Sequence, residues 1–199
     1  MIRTPLALIP YLIAALAVGA GLLWHAGDLL SATNPVASQG EALVGGPFRL
    51  IDQDGNERRA ADFHGRFMLV YFGYSNCPDV CPTTLAVMAD ALDKLGPRAG
   101  RVVPIFVTVD PERDTPKVLK AYLKAFGPRF VGLTGAEKEV AAAGRAYRVY
   151  YKRAPLKDGG YAMDHSSHIY LMGPDGKFIA DYDETLGPDG LADALRKQL

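Results

Sequence analysis

A mixed α/β fold built on one buried sheet is predicted by three observations. Two runs, Phe67 to Phe72 and Val102 to Val109, are apolar at nearly every position, as central strands covered on both faces must be. Segments with apolar residues at helical spacing follow each run. Apolar residues make up 49% of the 199-residue chain against 22% charged, the balance of a filled core.

Taken in order, Phe48 to Ile51 with Asp54-Gly55 reads as a short strand and tight turn. The first long strand is Phe67 to Phe72. Thr83 to Leu95 places Leu85, Met88, Leu92 and Leu95 on one helical face. After the second long strand, Asp114 or Thr115 is the N-cap of a helix with Pro116 in its first turn, stopped by Gly127-Pro128. A third helix is expected over Ala136 to Ala146 and a strand over Tyr147 to Lys152. Ile169 to Met172 and Phe178 to Tyr182 read as a hairpin across Gly173-Pro174-Asp175-Gly176. Leu191 to Leu199 closes the chain as an amphipathic helix. This β-α-β-α…β-β-α order, with cysteines just after the first long strand, is that of a thioredoxin-like fold.

The N-terminus differs in kind. From Leu6 to Trp24, about 19 residues, no side chain is charged, close to the ~20 residues that cross a bilayer core as a helix. Arg3 precedes the segment and Asp28 follows it, so the positive-inside rule sets the N-terminus in the cytoplasm and the rest of the chain outside. An uncleaved anchor over residues 1–30 is the expectation; a signal peptide cut near Ala17-Val18-Gly19-Ala20 is the competing reading. Residues 31–46 read as a flexible tether, and residues 47–199 as one domain. Positive and negative side chains balance at 22 each, with no basic run, so nucleic acid is discounted as a partner.

The chain has only two cysteines, Cys77 and Cys81 in Cys77-Pro78-Asp79-Val80-Cys81. Residues four apart share a helical face, so both sulfurs can point one way, while Pro78 and Pro82 stiffen the backbone and are expected to make it partly non-helical. The pair can form a disulfide or present two soft thiolates to a metal. Of the four histidines, His25 reads as an interfacial residue at the end of the membrane segment and His64 as a solvated turn residue. His165 and His168, in Asp164-His165-Ser166-Ser167-His168, lie on the loop before the strand Ile169 to Met172, which in a thioredoxin-like fold runs beside the cysteine loop. In extended backbone the two point apart, so only one can join the cysteines. Met163 and Met172 also carry soft sulfur but read as core packing or exposed surface residues.

Three motifs in this order, Tyr71-Phe72-Gly73-Tyr74-Ser75-Asn76-Cys77-Pro78-Asp79-Val80-Cys81-Pro82, then Val109-Asp110-Pro111-Glu112-Arg113-Asp114-Thr115, then Asp164-His165-Ser166, resemble the Sco/SenC family. Gly45-Gly46-Pro47-Phe48 and the Gly-Pro-Asp-Gly turn also fit, and the likeness runs from about residue 45 to the end. The resemblance implies a membrane-anchored, thioredoxin-like copper protein that assists assembly of the copper centre of cytochrome c oxidase. It implies a copper site of Cys77, Cys81 and His165; His168 stands where the family more often has an apolar residue. It further implies a copper-receiving oxidase subunit, and a copper donor or thiol reductant, as partners. The domain would face the periplasm from a bacterial inner membrane, or the equivalent side of the mitochondrial inner membrane.

Thiolate and imidazole suit Cu(I), and with an added ligand Cu(II); the same donors also take zinc. Asp79 and Asp164 are candidates to orient the ligands, equally readable as solvated carboxylates. Asp110 is expected near the site, and Glu112-Arg113-Asp114 as a charge network with a helix cap. The basic stretch Lys152 to Lys157 is a candidate docking element or a plain exposed turn. A copper-binding assembly factor, not itself an enzyme, is the favoured reading. The alternatives are an extracytoplasmic thiol–disulfide oxidoreductase acting on an oxidase subunit or another copper protein and, more remotely, a peroxidase of the peroxiredoxin kind.

Overall fold

The computed structural model describes residues 44–199. The expected anchor, the tether up to residue 43 and His25 lie outside them. Among the described residues no helix is long and apolar enough to cross a membrane.

The domain is a seven-stranded mixed sheet with four α-helices and a separate hairpin. Its strands are β1 (Arg49–Asp52), β2 (Glu57–Arg59), β3 (Phe67–Gly73), β4 (Val102–Thr108), β5 (Val131–Thr134), β8 (Ile169–Met172) and β9 (Phe178–Tyr182), in the spatial order β2-β1-β5-β4-β3-β8-β9. The pairs β3·β4 and β4·β5 are parallel. The pairs β1·β2, β1·β5, β3·β8 and β8·β9 are antiparallel. Every residue of β3 and β4 is buried, which is why their sequences run apolar without alternation.

The helices are α1 (Val80–Leu95), α2 (Pro116–Leu123), α3 (Glu137–Ala146) and α4 (Gly187–Arg196). Helix α1 starts three residues earlier than its apolar spacing indicated. Pro82 lies in its first turn, where a missing N–H removes no helical bond, so the prolines do not keep Cys81 out of the helix. Thr115 caps α2, accepting from the Val118 N–H, and Pro116 follows it. Helix α1 packs on α4, and Arg196 ties the two by donating to the Lys94 carbonyl at 2.6 Å.

Three expectations fail between residues 147 and 165. Tyr147 caps α3 rather than opening a strand: its ring is buried against Phe72 and Tyr170, with centroids 5.2 and 5.7 Å away. Arg148 then turns the chain at φ +56. The strand begins at Tyr151, and β6 (Tyr151–Pro155) pairs antiparallel with β7 (Tyr161–His165) as a two-stranded sheet of its own. The stretch read as a basic turn is therefore mostly β6, and His165 ends a strand instead of lying on a loop. The domain is already held at its N-terminal edge, where Gly45 donates to the Ala146 carbonyl at 2.9 Å.

Candidate metal centre

Strand β3 ends at Gly73, and the chain crosses Tyr74 to Asp79 before entering α1. A Cβ on Gly73 would stand 2.8 Å from Cys81 Sγ and 2.9 Å from Phe106; only glycine lets the helix start sit this close to the strand end. Cys81 is fully buried and Cys77 half-buried. The Cys81 N–H, one of the first-turn amides without a helical partner, points at Cys77 Sγ at 3.5 Å. The Tyr71 hydroxyl lies beneath Cys81 Sγ at 3.7 Å.

His165 arrives from the end of β7. Its Nδ1 lies 2.9 Å from the Ser166 carbonyl, which only accepts, so Nδ1 carries the proton. The lone pair of Nε2 is thereby left toward Cys81 Sγ, 3.3 Å away. Edges of Tyr71 and Tyr74 fix the ring, with centroids 6.2 and 5.8 Å from it. Burial holds the imidazole below its ordinary pKa, against a smaller opposing pull from the Ser166 carbonyl and Asp164. Burial likewise pushes the Cys81 thiol up to about 12.

The ligand atoms of Cys77, Cys81 and His165 all lie within 4.8 Å of one another. A single ion bonded to thiolate and imidazole at about 2.0–2.3 Å brings its ligand atoms to roughly 3.5–3.8 Å apart. The three donors thus fit a soft ion with small side-chain rotations. Two soft sulfurs with one neutral imidazole suit a monovalent or borderline metal better than a hard one.

The other candidates fall elsewhere. His168 Nδ1 lies 3.0 Å from Asp181, on the β9 side. His64 is an exposed turn residue. Met163 and Met172 are buried in the core. Asp79 and Asp164 are exposed, and Asp79 makes no capping bond.

Two buried carboxylates organise the surroundings instead. Asp114, expected as a possible cap, is too deep for that task. It accepts from the Ser75 N–H at 3.0 Å, the Ser75 hydroxyl and the Thr108 hydroxyl at 2.7 Å, pinning the cysteine loop to the end of β4. Asp110, expected near the site, pairs with Arg113 and accepts from the Tyr161 hydroxyl at 2.8 Å. Tyr161 carried no sequence signal, because its partner is 51 residues away.

A family model described as SCO1/SenC matches residues 36–199. The mitochondrial SCO1 homolog 1 of Arabidopsis thaliana is 41% identical over 163 residues, covering 81% of this chain and 49% of that protein. The chain therefore spans about half the length of that relative. The solved structure of Bradyrhizobium japonicum ScoI with copper bound has a TM-score of 0.73 at 44% identity, covering 78% of this chain and 99% of its own. BsSco, described as carrying a disulfide switch and as a member of the Sco family of cytochrome c oxidase assembly proteins, has a TM-score of 0.63 at 29% identity, covering 78% of this chain and 92% of its own. With more than four-fifths of its length matched by that one family model, the chain belongs to the SCO1/SenC family.

Proposed function

We propose that this protein binds one copper ion through Cys77, Cys81 and His165 and delivers it to, or matures, the copper centre of cytochrome c oxidase. The observation that carries this reading is the convergence of Cys77 Sγ, Cys81 Sγ and His165 Nε2 within 4.8 Å, with the imidazole tautomer already set by Ser166. The copper-bound relative at 44% identity supports the choice of metal. The description of BsSco supports the oxidase as destination.

In this reading both thiols give up protons as the ion enters, and His165 enters neutral. Copper is cargo, so the site needs access. Cys77 and His165 are half-buried and offer the approach, while Cys81 is the buried anchor. The uncharged segment Leu6 to Trp24 holds the domain on the extracytoplasmic side of a membrane, beside an oxidase subunit that receives the metal.

A second reading is favoured by the unequal exposure of the two thiols. Half-exposed Cys77 can attack a partner disulfide and buried Cys81 can resolve the mixed disulfide. Two electrons and two protons then pass from the dithiol to the partner, and an external thiol reductant must restore the pair.

The two readings separate on titration of the detergent-solubilised chain with Cu(I) under reducing conditions. Tight 1:1 binding that His165→Ala weakens and His168→Ala leaves intact is expected. Weak binding indifferent to both histidines would refute the copper site and favour thiol–disulfide exchange.

A further inference from the structure

The ligands come from two bodies. Cys77 and Cys81 stand where the main sheet meets α1, but His165 rides on the β6–β7 hairpin, which shares no backbone ladder with that sheet. Beyond the covalent link to β8 at Ile169 and the burial of Met163 in the core, side-chain ties therefore set where His165 stands. The cluster of buried Asp110 with half-buried Arg113 and Tyr161 is such a tie. One oxygen of the fully buried Asp110 carboxylate is taken by Arg113 of its own turn. The other accepts from the Tyr161 hydroxyl at 2.8 Å. Arg113 also donates to the Tyr161 carbonyl at 2.9 Å, and its guanidinium lies 3.9 Å from the centroid of the Tyr161 ring. Tyr161 is thus held through its hydroxyl, its ring and its backbone.

Tyr161 opens β7 and His165 ends it, about 13 Å apart in extended backbone. A strand that short moves as a unit, so a tilt at Tyr161 reappears at His165. On its other side the Arg113 guanidinium lies 5.7 Å from the centroid of Tyr74, whose ring packs edge-on against His165. The exposed Arg153–Glu112 pair also joins the hairpin to this turn, but it is wet and screened.

We propose that Asp110, Arg113 and Tyr161 form a latch that sets the distance of His165 from the two sulfurs, making them positioning residues for the metal site. The inference rests on the copper reading of that site. A partly buried charge pair adds little net stability over apolar packing; here it adds a fixed place for the hairpin. Releasing the latch leaves both cysteines in place, still pinned through Ser75 and Asp114, and withdraws the imidazole.

The test is a double-mutant cycle on the full chain, combining Tyr161→Phe with His165→Ala and reading Cu(I) affinity against a competing chelator. Tyr161→Phe keeps the ring and loses only the hydroxyl. It is expected to weaken binding roughly tenfold, at the low end for orienting partners of metal ligands, and to change nothing once His165 is absent. Hydrogen exchange of the metal-free chain is the second readout: amides of Met163 to His168 should exchange faster in Tyr161→Phe, with β3 and α1 unaltered. Equal losses with and without His165, or unchanged exchange in the hairpin, would overturn the latch. Wild-type protein that binds no copper would refute the metal reading, and exchange in the hairpin would then decide the latch alone.

Discussion

Copper uptake is expected to tighten by at least tenfold for each unit of pH between 7 and 9, and Cys81 is the reason. Burial, reinforced by the neighbouring Cys77 sulfur, pushes its thiol up to about 12. At pH 7 that is about five units below the midpoint, so baring the thiolate costs about 7 kcal/mol at ~1.36 kcal/mol per unit. Under the copper reading the entering ion must repay this cost, and one proton leaves with every ion bound. The sign follows from linkage: the free protein holds the proton and the loaded one does not, so raising the pH favours loading. His165 adds nothing in this window, because burial lowers an imidazole whose usual pKa is 6.5. The measurement is competition for Cu(I) against a chelator whose own protonation is constant from pH 7 to 9, with proton release followed in weak buffer. Cys81→Ser should lower the slope by one proton. A flat wild-type profile would refute the reasoning, since it would mean that Cys81 is not received as a thiolate.

The same thiol governs the metal-free protein in alkali. Its folded pKa of about 12 exceeds the usual 9.0, so its contribution is full below pH 9 and is lost as pH rises toward 12, by about 4 kcal/mol. Denaturation midpoints of the wild type should fall across that window relative to Cys81→Ser, which does not titrate. Gly73→Ala would drive a methyl to 2.8 Å from Cys81 Sγ, an overpacking that costs about 1–3 kcal/mol. Thermal midpoint and copper affinity should fall together. Asp114→Ala leaves the donors of Ser75 and Thr108 unpaired, at a cost of about 3 kcal/mol. Calorimetry should show the melting temperature lower by about 6–12 °C.

Much of this architecture was legible because burial writes itself into composition. Strands β3 and β4 are enclosed on both faces and therefore read as unbroken apolar runs. The β8–β9 hairpin was visible from Gly173-Pro174-Asp175-Gly176, whose backbone closes with Gly173 donating to Lys177 at 2.7 Å. Strand β2, Glu57–Arg59, has no apolar residue to announce it and is held as an edge strand by its ladder to β1 and the Arg58–Asp52 pair. Tyr147 misled because a large aromatic in an apolar run fits a strand as well as it fits a helix end packed on Phe72. At the site, cysteine and histidine are chemically conspicuous wherever they stand. Asp114 and Tyr161 are not: their work lies in bonds to Ser75 and Asp110, 39 and 51 residues away.

The turn from Asp110 to Thr115 serves both halves of the site. It follows the central strand β4 and carries two buried carboxylates with different clients. Asp114 reaches the cysteine loop through Ser75, and Asp110 reaches the histidine hairpin through Tyr161. A three-ligand site shared between two bodies needs a common reference, and a rigid, fully buried strand end is a better one than either loop. Under the copper reading the division also bears on release. The ligand held most firmly, Cys81, is buried against β3, while Cys77 and His165 face the approach. An incoming ligand can displace the imidazole by moving a hairpin that shares no ladder with the main sheet, without unfolding a strand of that sheet. Firm sulfurs and a tethered imidazole thus let one site hold a soft ion tightly enough to carry it and loosely enough to pass it on.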